Sequence, residues 1–151
     1  MNKALSYIGI AKKAGAIAVG ETNSGAAIRS GKGRILVLAS DASGNARRRA
    51  ENFVFGTTVP LVVLPYTKED LAGITGVSGC SMAVFTDVGL AAVFMAALAE
   101  NEPSFAETAE LMAKRNEKAL MLKREAAAHA RNRKKGKAVK AAAMGKRRKN
   151  I

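Results

Sequence analysis

Arg34-Ile35-Leu36-Val37-Leu38-Ala39 is the stretch on which the fold turns. Five apolar residues follow one another with no polar residue between them. A strand covered on both faces needs this pattern, whereas a strand with one wet face alternates. Two later runs, Val59–Leu64 and Met82–Thr86, share the pattern, and a shorter one, Ala16–Val19, precedes them. Pro60 cannot donate to a strand ladder, so it belongs at the beginning of its strand or at a sheet edge.

Helix signals fill the intervals. Asn2–Ala14 carries Leu5, Ile8 and Ala11 at helical spacing and stops at Gly15. Glu21–Ser30 stops at Gly31, and Gly44–Phe55 begins after a candidate cap, Ser43, and stops at Gly56. Thr67-Lys68-Glu69-Asp70 has the spacing of a capping box and opens a helix to about Thr75. Asp87 caps Val88–Ala99. Four strands alternating with helices define an α/β layered fold, with helices on both faces of the sheet.

Beyond residue 100 the pattern changes. Pro103-Ser104-Phe105-Ala106-Glu107 predicts a second capping box and a long helix towards Ala130, docked by its first turns and then projecting. Glu110 and Lys114 stand in the favourable i,i+4 order on it. The expected organisation is a domain over 1–100, a helix over 101–130 and a basic disordered tail over 131–151.

The net charge of +13 sits mostly in this last third. Residues 1–100 hold ten Lys/Arg against seven Asp/Glu, a balance of +3, and residues 101–151 hold fifteen against five, a balance of +10. From Arg131 onward there are ten basic residues and no acid. Such a segment buries too little to offset its ordering entropy, and it suits a polyanion. The candidate phosphate contacts are Arg131, Arg133, Lys134, Lys135, Lys137, Lys146, Arg147, Arg148 and Lys149. An anionic membrane surface fits poorly, because the tail offers no Trp, Phe or Leu to insert. A merely solubilising tail is the plainer alternative.

Several classes of function are disfavoured. The longest apolar run, Val88–Ala99, falls short of the roughly 18 residues of a membrane span. Met1–Lys13 lacks the features of a secretory signal, so a cytoplasmic location is expected. One cysteine, Cys80, and one histidine, His129, allow neither an internal disulfide nor a His/Cys metal cluster. Neither has a catalytic partner in sight, and Gly31-Lys32-Gly33-Arg34 is only the second half of a phosphate loop. Asp41 stands alone at a strand end and reads as a turn or cap residue. No enzyme activity, cofactor or metal is expected.

A more promising feature is the junction Gly20-Glu21-Thr22-Asn23, where a strand gives way to a helix. Free N–H groups and the helix dipole suit such a place to an anion. Simple N-capping by Thr22 or Asn23 explains the same residues equally well. Lys12, Lys13, Lys32 and Arg34 are candidate phosphate contacts near this face, whereas Arg47-Arg48-Arg49 reads as a solvated run.

Ile8-Gly9-Ile10-Ala11-Lys12-Lys13-Ala14-Gly15, followed by Val19-Gly20-Glu21, resembles the opening of the kink-turn RNA-binding ribosomal protein superfamily. That superfamily includes the archaeal large-subunit protein seven and the eukaryotic large-subunit protein thirty; the chain resembles its bacterial small-protein branch. Ile35–Ser43 with Asn45, Val59-Pro60, Leu71–Gly76 and Thr86-Asp87 with Gly89 and Ala91 continue the likeness over roughly residues 5–98. The resemblance implies a three-layer α/β/α sandwich around a four-stranded mixed sheet. It also implies structured or ribosomal RNA as partner, bound by the second helix's N-terminus and the loop Ser78-Gly79-Cys80 before the last strand. Kink-turn binders read guanine edges there with an Asn, a Glu and a Lys. At those positions this chain has Thr22, Asn23 and Ala26, of which Ala26 offers no hydrogen bond. The reading is a non-enzymatic RNA-binding protein of ribosomal type; the alternative is a protein-interaction or regulatory module on the same fold.

Overall fold

The computed structural model describes residues 2–149, with side chains as far as Gly136. Eleven elements follow in chain order: helix α1 (Lys3–Lys13), strand β1 (Ile17–Val19), α2 (Glu21–Arg29), β2 (Ile35–Leu38), α3 (Gly44–Val54), β3 (Leu61–Val63), α4 (Lys68–Thr75), β4 (Met82–Phe85), α5 (Val88–Asn101), a 3₁₀ turn (Pro103–Phe105) and α6 (Ala106–Lys149).

The four strands form one mixed sheet in the order β1-β4-β2-β3. β4 pairs antiparallel with β1 and β2, setting Val19 opposite Ala83, Leu38 opposite Met82 and Ile35 opposite Phe85. β2 and β3 run parallel, with Leu36 opposite Leu61. Pro60 stands just ahead of the edge strand β3, where its missing N–H costs nothing, and its carbonyl accepts from Leu36 N–H at 2.9 Å.

The expected burial on both faces is present in the two central strands but not in the edge strand β3, where Leu61 is half-buried and Val63 exposed. Every residue of β2 and β4 is buried. On one face Ile35, Val37, Ala83 and Phe85 pack with Ile8 of α1, Leu71 of α4 and Phe94, Met95 and Leu98 of α5. The Phe85 and Phe94 rings stack with centroids 4.9 Å apart. On the other face Leu36, Leu38, Met82 and Val84 pack with Ala27 and Ile28 of α2 and Ala46 and Ala50 of α3. The period-2 alternation of a strand thus sends its residues into two separate cores. The result is an α/β/α sandwich.

Caps set several helix starts. Asn2 Oδ1 accepts from Ala4 N–H, Ser43 Oγ from Ala46 N–H and Asp87 Oδ2 from Leu90 N–H. The capping box of α4 is complete: Asp70 N–H donates to Thr67 Oγ1 at 3.1 Å and Thr67 N–H to Asp70 Oδ2 at 3.0 Å. Asp41 accepts from Lys68 N–H at 2.8 Å, so it ties the turn after β2 to the first residue of α4. Gly9 lets α1 approach α4, since a Cβ there would come within 3.2 Å of the Ile74 side chain.

The second capping box does not form. The 3₁₀ turn carries no side-chain cap, and Phe105 N–H donates to Glu102 O at 3.1 Å instead. Pro103 lies at the start of that turn and its fixed φ suits the position, so the chain enters α6 through a tight turn rather than through a Ser104 cap.

α6 continues past the expected end near Ala130 to Lys149. Between Ser104 and Asn150 the sequence has no proline and is rich in Ala, Lys and Arg, all good helix formers. Asn150 and Ile151, the last residues of the expected tail, lie outside the described residues. The chain divides into two compact units with the boundary at Asn116 and Glu117, inside α6. In the first unit Met112 is fully buried in the larger core. In the second, Leu120, Met121 and Leu122 are exposed. No helix is long and apolar enough to cross a membrane among the described residues.

Truncating Met112 leaves a void in a closed core, whereas truncating Leu122 removes atoms already in contact with water. Met112→Ala is expected to lower stability by about 2–5 kcal/mol, and Leu122→Ala by less than about 0.5 kcal/mol. Urea unfolding of the two variants beside the wild type checks this. Equal losses would show that the first turns of α6 do not belong to the core.

Candidate nucleic-acid interface

The junction singled out in the sequence is built by one backbone residue. Gly20 has φ +93°, a region closed to ordinary L side chains, and no atom crowds the position where a Cβ would stand. Conformation, not space, therefore requires glycine. From that conformation Gly20 N–H donates to Met82 O at 3.0 Å, and the chain turns at once into α2.

No side chain caps α2. Thr22 and Asn23 both lie within the helix and leave its N-terminus uncapped. The Asn23 amide points backward, with Nδ2 donating to Val19 O at 3.0 Å. Simple capping is therefore not what these residues do. The first-turn N–H groups keep their partial positive charge, partly offset by the Glu21 carboxylate in the same turn. The exposed Thr22 hydroxyl and Asn23 Oδ1 stand beside them.

The loop before β4 reaches the same place through Cys80. Its side chain is 1% exposed, and Sγ donates to Met82 O at 3.5 Å. The thiol also faces the backbone of Gly20 and the hydroxyl of Thr75. Thr75 Oγ1 in turn donates to Leu71 O at 2.7 Å and accepts from Val77 N–H at 3.3 Å. Cys80 is therefore an internal pin between the loop and the α2 junction, not a contact residue on the surface. Ser78 and Gly79 are the exposed members of the loop.

The basic residues divide. Lys12 and Lys13 are exposed at the end of α1 and line a shallow groove of about 610 Å³ between α1 and α4. Thr75 lines the same groove, so these lysines adjoin the Cys80 cluster. Lys32 and Arg34 do not. Arg34 N–H donates to Phe85 O, and Phe85 is the end of β4 away from Met82. Lys32 follows the C-terminal end of α2, away from Gly20. Closeness in sequence to α2 placed them near the junction, but α2 carries the chain across the sheet between Gly20 and Arg34.

Their place is taken by α3. Arg49 pairs with Glu21, the first residue of α2, across 28 positions of sequence. Arg47 pairs with Glu51 at 3.4 Å, and Arg48 donates to Asn45 Oδ1. All three arginines are exposed, so the run is solvated as expected, yet Arg49 brings α3 beside the α2 junction. The available signal was topological: α2 and α3 cover the same sheet face, so they are neighbours.

Arg131, Arg133, Lys134 and Lys135 are exposed on the second unit. Lys137, Lys146, Arg147, Arg148 and Lys149 lie on α6, with side chains outside the described residues.

No family model and no curated relative matches this chain. Solved structures do resemble it. A protein of unknown function from Bacillus halodurans C is 21% identical with a TM-score of 0.59, over 65% of this chain and 98% of its own. The 15.5kD RNA binding protein of Giardia lamblia is 19% identical with a TM-score of 0.53, over 64% of this chain and 82% of its own. At such identities the likeness establishes the α/β/α fold.

Burial raises the Cys80 thiol pKa above its ordinary 9.0, and hydrogen bonding from Gly20, Met82 and Thr75 only partly offsets this. Because the folded value is the higher one, the thiol's contribution to stability is intact below pH 9 and declines as pH rises through the folded value. Cys80 is expected to resist alkylation in the native protein and to react fully in urea. The alkaline loss of stability should shrink in Cys80→Ala. Rapid native labelling would place the thiol at the surface.

Proposed function

We propose that this chain is a non-catalytic RNA-binding protein whose α2 junction meets the RNA. The observation that carries the reading is the convergence at Gly20. An uncapped helix N-terminus and the exposed Ser78-Gly79 turn meet there, and Arg49 of α3 reaches the same helix end through its pair with Glu21. A phosphate backbone passing the junction finds helix N–H groups ahead and the Arg49 guanidinium at its flank. The similar Giardia fold, described as an RNA binding protein, supports this reading. So does the concentration of charge beyond residue 100.

The finer reading is a structured, ribosomal-type RNA, with the domain recognising shape and the basic end of α6 adding phosphate contacts. Base reading at the junction is sparse. Thr22 and Asn23 offer short hydrogen-bonding groups, the Asn23 Nδ2 is engaged with Val19, and Ala26 offers nothing. Affinity then comes chiefly from phosphates, and kink-turn preference is small.

Filter binding to ribosomal RNA at several salt concentrations tests the electrostatic half. Each phosphate contact contributes roughly 0.7–0.9 to the slope of log K against log salt. Deleting residues 131–151 should make the slope shallower by several units, and Arg49→Gln by about 0.8. Unchanged slopes would remove both regions from the interface.

Titration calorimetry with a kink-turn and a matched straight duplex tests the specific half. The wild type should favour the kink-turn by less than about 2 kcal/mol, the worth of one good bidentate contact. Ala26→Lys should increase that preference, since it adds a donor on the exposed face of α2 with little change in helix propensity. Tight, selective binding by the wild type would contradict this account.

A further inference from the structure

The end of α6 joins two properties that a generic basic tail need not share. From Ala126 to Lys149, eight of 24 residues are Ala and ten are Lys or Arg, with no acid and no proline. These are among the strongest helix formers, and the segment is helical. Its cations also surround the helix. At about 100° per residue, Arg131 and Lys135 lie along one side, Arg133 opposite, and Lys134 on a flank between.

We propose that the basic end of α6 binds structured RNA as an α-helix, lying in a duplex groove walled by phosphates on both sides. The inference rests on the RNA-binding reading above and names the form in which this segment binds. A flat anionic surface engages one face of a helix and asks for an apolar face opposite. Here the only larger apolar residues in the segment are Val139 and Met144. A groove engages cations on every side.

The segment spans about 36 Å, roughly one duplex turn, and its many alanines keep it slender. An unbroken A-form duplex has a deep, narrow major groove. The RNA that fits is therefore one whose duplex is opened by a bulge or internal loop. Phosphates also remove the mutual repulsion of cations spaced i,i+4, so helix and occupied groove stabilise each other.

The decisive variants alter helix propensity and leave charge untouched. Gly136 sits in the helix without a positive φ, and nothing lies within 4 Å of the position a Cβ would take. Gly136→Ala therefore fits without strain. Fluorescence anisotropy of the full chain with a labelled RNA hairpin containing an internal loop should show about fourfold tighter binding for Gly136→Ala. Ala130→Pro should bind at least about tenfold more weakly. Neither substitution should matter with single-stranded RNA of equal length.

If the wild type binds the hairpin and both variants match it, the segment acts as an unshaped polycation. The helical proposal then falls while the RNA-binding reading stands. A DNA duplex bound more tightly than the hairpin, with the same ranking of variants, would overturn RNA as the occupant. If the wild type binds no RNA, both proposals fail.

Discussion

The four residues of β4, Met82–Phe85, are paired on both edges and covered on both faces, and the rest of the fold is arranged around them. Ala83 and Phe85 supply one core, and Met82 and Val84 the other. A strand so placed has no solvated group to tolerate a polar substitution, and each of its backbone groups needs a partner. The same constraint makes the candidate interface. The backbone just ahead of and at the start of β4 supplies three acceptor contacts: Ser81 O to Ala39 N–H, and Met82 O to both Gly20 N–H and the Cys80 thiol. The α2 junction is thus fixed to a strand buried along its whole length.

This arrangement explains why the junction is held from behind. Cys80 and Thr75 face inward, while Thr22, Asn23, Ser78 and Gly79 are left outside. A surface for a polyanion gains from such preorganisation, because donors fixed before binding lose little entropy when a phosphate arrives. The loop contributes shape and backbone groups, and the charge comes from neighbouring helices.

Much of the fold was legible in the sequence because it depends on short-range patterns. Continuous apolar runs marked β2, β3 and β4, and the Thr67–Asp70 spacing gave a capping box at the right residues. Ser104 and Glu107 had equally good spacing and formed none, since Pro103 starts a 3₁₀ turn there. Placement across the sheet was not legible. Lys32 and Arg34 stand close to α2 in sequence but at the far end of β4 from Gly20. Arg49 stands 28 positions from Glu21 and touches it. Cys80 was visible as a loop residue, but its inward orientation follows from backbone partners that no sequence spacing encodes.

The acids of the first hundred residues complete the electrostatic argument. Asp41, Asp70 and Asp87 accept from backbone N–H groups at or beside helix starts. Glu21, Glu51 and Glu100 pair with Arg49, Arg47 and Lys3. Six of the seven acids are thereby engaged locally, leaving Glu69. These exposed ion pairs add little stability, each worth at most about 1 kcal/mol. Their larger effect is on the field. Each ion pair also neutralises its own cation, so the field of this region stays close to its modest balance of +3, and Glu21 offsets Arg49 at the junction itself. Past Glu125 the sequence has no acid at all, and the field of α6 is uncompensated. On the proposed reading the two regions have different tasks: α6 would set how strongly a polyanion is attracted, and the junction at Gly20 where it is held.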